Sequence, residues 1–358
     1  VAPSPRLSSV LDKANAAESA ETLTGLLRDG GALPGDGRVV ASRVARMGGS
    51  GLVGAVARVH LEYAAGKPAG PASLVLKTAS DVFDEGPQLA AMEVKFYRGV
   101  VPTLPEALAP LVVGSGLDER TGQSWLLLED LGDSGFVRQI DGYSDSQALA
   151  AVRKLAVLHA HWWGRDLPRD LRWLTAPQDS AVAGFCARWL RSYGGPWPTA
   201  LGDAPRRLLA GYDKLAARLG ASPRTVVHGD FHSQNIAFGS GGQSHDARFI
   251  DFQFVQHGCG PLDVARLLAT SLRTEVRREI ETALVREYHG TLVARGVEGY
   301  ELDRCVDDIR AALPWNLATP LALHVMGIQR EGRHWPLRLP IVERCLAAID
   351  DWGAWNGR

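Results

Sequence analysis

The stretch RTVVHGDFHSQNIAFG, residues 224–239, decides the fold. An apolar run ending at Val227 leads into a polar cluster holding His228, Asp230, His232 and Asn235, after which Ile236 restores the apolar pattern. This pattern predicts a strand, a tight turn and a second apolar stretch. From the chain's own residue frequencies, H-G-D-x-x-x-x-N would arise by chance in about one chain in a thousand of this length, so the spacing carries information. Asp230 can accept a proton from an attacking hydroxyl, and Asn235 offers a hard oxygen of the kind Mg²⁺ prefers. Sixteen residues after Asn235, RFIDFQF reads as an apolar strand ending in Asp251, a second hard oxygen for a metal on nucleotide phosphates.

Upstream, GSGLVGAV sets Gly49, Gly51, Gly54 and Val56 in the pattern G-x-G-x-x-G-x-V, with Ser50 between the first two glycines. The chain has 39 glycines, so the match alone is weak. Its context sharpens it: a dinucleotide-binding fingerprint needs a helix directly after the glycines, whereas AVARVHLEY continues as strand. A hairpin loop whose backbone N–H groups approach phosphates fits better, with a plain structural turn as the alternative. Lys77 closes the next apolar strand, SLVLKTAS, and can contact anionic phosphates if a carboxylate holds it in place. Glu93, sixteen residues on in a segment of helical spacing, is the natural partner.

The chain has 358 residues, 46% of them hydrophobic, enough for a sizeable core. Its net charge of -1 provides no global field to draw it to nucleic acid or anionic lipid. Cys186, Cys259, Cys305 and Cys345 lie far apart with no C-x-x-C pair, which argues against a zinc ribbon or a disulfide framework. No apolar run approaches a membrane span, and VAPSPRLSSV lacks a signal-peptide pattern. A reduced cytoplasmic protein, monomeric or homodimeric and independent of nucleic acid and membrane, is the expectation.

Residues 5–29 read as helical and are followed by DGGALPGDG punctuation. Five alternating or apolar segments then predict strands, with one main helix over 85–99. From about residue 144 the texture changes to long amphipathic helices, including DSQALAAVRKLAVLHAHWW, APRRLLAGYDKLAARLG and PLDVARLLATSL. The expected organisation is a nucleotide-binding part over 1–128, a connector at 129–135 and a helical part over 136–358 that carries the catalytic loop and acceptor site.

In the order Gly-rich hairpin, strand Lys, helix Glu, H-G-D-x-x-x-x-N and D-F, the chain resembles the protein-kinase-like fold. The forms HGD with IDFQ, EVKFY and LLLEDLGD resemble its small-molecule branch, the aminoglycoside phosphotransferases and, more closely, ecdysteroid-kinase-like proteins, over about residues 40–270. The resemblance implies an α+β, bilobal fold with a mostly-β first lobe and a larger, mainly α second lobe. It implies Asp230 as catalytic base with His228 orienting the loop, Asn235 and Asp251 as Mg²⁺ ligands, and Lys77 with Glu93 as phosphate clamp. The Gly-rich residues Gly49, Ser50, Gly51 and Gly54 would cover the phosphates of ATP or GTP. Glu129, Asp130 and Leu131 would form the hinge against adenine, and Asp263 would brace the catalytic loop.

Departures from protein kinases are equally informative. Gly229 replaces the Arg of H-R-D, Gln253 replaces the Gly of D-F-G, and only about ten residues separate Asp251 from GPLDVARLL. A long phospho-regulated segment has no room, so the implied enzyme is a constitutively active kinase of small molecules. An antibiotic hydroxyl is one acceptor class, on an aminoglycoside, a macrolide or a nucleoside antibiotic such as capuramycin. A metabolic alcohol, sterol-like, sugar or choline-like, is another, and a nucleotide-binding pseudokinase is a third reading. Arg330, Arg333 and Arg338, near His334 and Trp335, favour a neutral or acidic acceptor. His159 and His161 read as packing or solvent-facing helix residues, and most of the tryptophans of the helical half read as core.

Overall fold

Helix α1 (Ala16–Asp29) forms because Ala20, Leu23 and Leu27 recur at helical spacing, and all three are buried. It ends at Gly30, whose N–H returns to Leu26 O, while the N–H of Ala32 returns to Leu27 O. The computed structural model describes residues 16–47, 54–67, 69–79, 86–132, 135–239, 247–331 and 339–356. Gly49, Ser50 and Gly51 lie outside the described residues, as do Arg333, His334, Trp335 and Arg338.

Strands β1 (Val39–Arg46), β2 (Gly54–Tyr63), β3 (Ser73–Ala79), β4 (Val112–Leu117) and β5 (Ser124–Glu129) form one antiparallel sheet in the order β1-β2-β3-β5-β4. Alternation sends Leu74 and Leu76 of β3 into a core with Leu23, Leu27, Val59, Trp125 and Leu127, and turns Lys77 to the opposite face. β5 is buried along nearly its whole length. The α1 core covers one of its faces and helix α2 (Gly86–Gly99) packs on the other, so its near-continuous apolar run is what the environment requires.

The remaining helices are α3 (Asp145–Trp162), α4 (Ala181–Ser192), α5 (Ala204–Gly220), α6 (Pro261–Thr270), α7 (Thr274–Ala294), α8 (Leu302–Glu331) and α9 (Leu339–Asp351). Strand β6 (Arg224–Val227) pairs antiparallel with β9 (Gln256–Cys259), and β7 (Ile236–Ala237) with β8 (Arg248–Phe249). A capping box at Ser144 and Gln147 starts α3. Helix α8 packs against α4, α5, α6 and α9, with Ile309, Leu313, Leu317, Leu321 and Val325 fully buried.

The chain divides into two compact units. One comprises the described residues up to Thr103 together with Ala109–Gly132; the other comprises Leu104–Leu108 and the described residues beyond Gly132. The short Leu104–Leu108 piece belongs to the second unit through specific bonds. Glu106 pairs with Lys154 at 2.6 Å and with Arg295 at 2.5 Å, and Leu108 O accepts the N–H of Phe249 at 2.7 Å. The fold is α+β, a mostly-β unit followed by a larger, mainly α unit, as the sequence predicts.

Two expectations need correction. Of the tryptophans of the helical half, Trp162 and Trp315 are buried, but Trp163, Trp173, Trp189 and Trp197 are only half-buried. His159 is a completely buried polar residue with two partners, neither packing filler nor solvent-facing. All four cysteines are free and buried. Among the described residues no helix is long and apolar enough to cross a membrane.

Candidate active site

The first unit contains an ion pair. Val56 on β2 and Leu126 on β5 flank Lys77 in the sheet, which aims its side chain at α2. There Lys77 Nζ meets Glu93 at 2.8 Å from Oε1 and 2.7 Å from Oε2. The Glu93 side chain is 4% exposed and that of Lys77 19%, so the pair is sheltered while the cation keeps some access to solvent. At the end of β5, the Asp130 carboxylate accepts Arg58 Nε at 2.6 Å, Ser73 Oγ at 2.6 Å and Gly132 N at 2.9 Å. Burial pushes the Asp130 carboxyl up, but the bonds from Arg58, Ser73 and Gly132 more than offset it and hold the group below its usual range. The side chain of Asp130 thus ties β2 and β3 to the chain leaving β5. Glu129 is bonded back to Leu111 through both its N–H and its carboxylate. Leu131 follows, half-buried and without regular structure, and Gly54 opens β2.

The second unit carries the HGD loop between β6 and β7. Gly229 has φ +81°, and a Cβ there would sit 2.0 Å from Phe254 O, so both conformation and space demand glycine. An Arg at this position, as in H-R-D, has nowhere to go. The His228 imidazole is completely buried, its Nε2 2.9 Å from Ile250 O and its Nδ1 accepting the N–H of Asp230 at 3.3 Å. That arrangement requires the neutral ring with the proton on Nε2. Burial lowers the His228 pKa in spite of the pull of Asp263 and Asp230.

Asp263, at the start of α6, braces the loop. Its carboxylate accepts His228 N at 2.6 Å and Gly229 N at 2.9 Å, and faces His159 Nε2 at 3.2 Å. His159 Nδ1 in turn meets Tyr288 Oη at 2.7 Å. Further along, Ser233 N donates to Ser271 Oγ at 2.9 Å and Tyr143 Oη to Ser233 O at 3.3 Å. Phe231 and Phe249 stack edge-on beneath the loop with centroids 5.0 Å apart.

These contacts fix Asp230. Arg266 Nη2 approaches its Oδ1 at 2.5 Å, His232 Nε2 lies 3.3 Å from its Oδ2, and Asn235 Nδ2 donates to its carbonyl oxygen at 3.0 Å. His232 Nδ1 accepts the N–H of Gln234, which leaves the proton on Nε2 to face the carboxylate. Burial alone would raise the Asp230 pKa, but the pull of His232 Nε2–H and of the Arg266 guanidinium overrides it and holds the group well below the usual carboxylate range. It stays ionised with its oxygens occupied by donors, an orienting group and a weak base.

Asn235 and Asp251 are brought together by the β7–β8 register: Ile236 pairs with Phe249, and Ile250 N–H donates to Asn235 O at 2.9 Å. Asp251 has φ +68°, and among the described residues no other non-glycine has positive φ. Asp tolerates the left-handed region better than most residues. Gln253, at the glycine position of D-F-G, donates to Asp251 Oδ2 at 3.1 Å and so helps orient it. Because Asn235 directs its amide N–H toward Asp230, its side-chain oxygen is the atom that could serve as a ligand, on the chain that pairs with the strand leading to Asp251. Two hard oxygens suit Mg²⁺, which completes its shell with water and substrate phosphates. Among the described residues no group of three or more His, Cys, Asp or Glu is arranged to hold a metal. The sequence reading assigned none of His159, His232 and Arg266 to the site. His232 was within reach of it, inside the loop four residues from His228; the other two join the site only through tertiary packing.

Comparison with known proteins places this architecture. Residues 201–296 match the ecdysteroid kinase-like family. No curated protein matches the chain by sequence. Among solved structures, the chain is similar to an aminoglycoside 2'-phosphotransferase-IIIa in complex with GDP, at 12% identity over 88% of this chain and 93% of that one, with TM-score 0.56. It is similar to an ethanolamine kinase of Plasmodium vivax, at 13% identity over 87% and 81% of the two chains, TM-score 0.51. It is also similar to a choline kinase of Streptococcus pneumoniae, at 12% identity over 86% and 93%, TM-score 0.50. The chain thus has the protein-kinase-like fold that these phosphotransferases share, as its motifs lead one to expect.

Proposed function

We propose that the protein transfers the γ-phosphoryl group of ATP or GTP to a hydroxyl of a small molecule. The observation that carries this reading is the 228–235 loop, in which an ionised Asp230 is held by Arg266 and His232 beside Asn235 and the strand leading to Asp251. In the transfer, the acceptor oxygen attacks the γ-phosphorus, the bond to the bridging β–γ oxygen breaks, and the nucleoside diphosphate leaves. Asp230 accepts the hydroxyl hydrogen bond, orients the oxygen lone pair, and takes the proton as the P–O bond forms. Its weak basicity suits a loose transition state that needs little deprotonation beforehand. Asn235 and Asp251 would hold Mg²⁺, which neutralises charge on the phosphate oxygens when bound. Lys77, fixed by Glu93, is assigned to the nucleotide phosphates.

The short path from Asp251 through β9 into α6 favours a small acceptor over a protein, because it leaves no segment for substrate-protein docking or phospho-regulation. An antibiotic hydroxyl is the first acceptor reading, supported by the aminoglycoside phosphotransferase of the same fold. A metabolic alcohol is the second, supported by the ethanolamine and choline kinases. The test is nucleotide turnover against a panel of antibiotics and hydroxylated metabolites, with mass spectrometry for an added phosphate. Asp230→Asn should lower transfer about 10³-fold while leaving MgATP affinity nearly intact. Equal turnover by the wild type and this variant would remove Asp230 from the chemistry.

A further inference from the structure

Arg266 lies on α6, only 5% exposed, with three kinds of guanidinium nitrogen to satisfy. Nη2 meets Asp230 Oδ1 at 2.5 Å, Nη1 donates to the backbone carbonyl of Asn316 at 3.2 Å, and Nε has no hydrogen-bond acceptor among the described residues. Among the described residues, only the Asn316 carbonyl therefore sets the guanidinium plane independently of Asp230. A carbonyl in the middle of an α-helix is ordinarily taken by the N–H four residues later. For Asn316 that residue is Pro320, one of two prolines inside α8, and proline has no N–H to give. The Asn316 side chain also reaches α6, where Nδ2 donates to Leu262 O at 3.0 Å as well as to Ala312 O at 3.1 Å. A helix-breaking residue thus sits where its one chemical deficit supplies the acceptor that anchors Arg266.

We infer that Arg266 is a positioning residue for Asp230, and that Pro320 serves this function by leaving the Asn316 carbonyl open to the Arg266 guanidinium. The inference rests on the reading of Asp230 given above. Arg266 does not touch the reacting atoms; it fixes the rotation of the carboxylate that does. Replacing Pro320 by Ala installs an N–H that competes for Asn316 O, so the guanidinium loses its second anchor and Asp230 gains freedom.

The test uses the whole chain and MgATP alone, with water as acceptor, so no acceptor need be identified. Pro320→Ala should raise the thermal midpoint, since the helix gains a hydrogen bond and loses a proline. It should nevertheless lower kcat about three- to tenfold with KM for ATP unchanged. Arg266→Met should lower kcat about 10²-fold, and Arg266→Lys should recover part of that loss. Adding Pro320→Ala to Arg266→Met should cost nothing further, because the carbonyl then has no guanidinium to hold. A merely structural Pro320 would give a more stable enzyme with unchanged kcat, or the same loss in both backgrounds, and either result overturns the inference. Should Arg266→Met fail to fold, Pro320→Ala and Arg266→Lys decide alone. If Asp230→Asn is inactive while those two variants keep wild-type kcat, only this inference falls; if Asp230→Asn is active, the reading of Asp230 falls with it.

Discussion

Asp263→Asn tests whether the catalytic loop is held in shape by one buried carboxylate. In the wild type its two oxygens serve three donors, His228 N, Gly229 N and His159 Nε2, and the residue is wholly buried. Asparagine fits the same volume but has one acceptor oxygen and one NH₂ group. If the oxygen stays with His228 and His159, the amide N–H of Gly229 faces another donor, and two buried donors are left unsatisfied. At about 1–3 kcal/mol for each such group, the loss is about 2–6 kcal/mol. With a central value of about 3 kcal/mol, the second unit should unfold roughly 6–12 °C lower. Calorimetry reads the midpoint, and amide hydrogen exchange at Gly229 reads the local effect, which should quicken by about 10². A variant with the wild-type midpoint and an equally protected Gly229 amide would mean that the loop is shaped by something other than Asp263.

Gly229→Ala should destabilise the second unit by at least about 1–2 kcal/mol from its left-handed backbone alone, and more from the close approach to Phe254 O; an unaltered melting curve would contradict the geometry. Lys77→Met should weaken MgATP binding about tenfold or more by titration, and Glu93→Gln added to it should regain stability, since the single variant leaves a sheltered carboxylate without its cation; unchanged binding would detach Lys77 from the phosphates. His228 predicts an acid limb of stability. Its folded pKa is depressed by burial below the unfolded value of about 6.5, so between the two values the unfolded chain binds more protons. Stability is therefore full above about pH 6.5 and declines below it, by up to about 1.4 kcal/mol per pH unit for this group. Melting from pH 7.5 to 5.5 should show the decline, and His228→Gln, whose Nε2 can take the place of the imidazole Nε2 that faces Ile250 O, should flatten it; an equal slope in both proteins would assign the effect elsewhere.

Much of the architecture could be read from pattern because local signals and tertiary demand agree. APRRLLAGYDKLAARLG matches α5 from end to end, and the strand predicted around SLVLKTAS matches β3 with Lys77 on the face opposite Leu74 and Leu76. Helix α8 was illegible for a physical reason. Buried on nearly every side, it has no polar face to give a 3.6-residue period, and Pro314 and Pro320 read as breaks. The site divides in the same way. Asp230, Asn235 and Asp251 are legible because one turn and one strand end carry them, whereas His159 and Arg266 reach the loop from helices 104 and 36 residues away in sequence from their carboxylate partners. Gln253 looked like a mere departure from D-F-G until its bond to Asp251 gave it a task.

The five residues Leu104–Leu108 mean that the larger unit is not a contiguous length of chain. Dissection at the Gly132 connector, the obvious place to cut, would yield a helical fragment stripped of Glu106 and Leu108. Lys154 and Arg295 would lose their shared anion, and the edge of β8 its acceptor. A fragment made to study acceptor binding in isolation would need that pentapeptide grafted back, and synthesis from the N-terminus must hold it in waiting until α3, β8 and α7 have emerged.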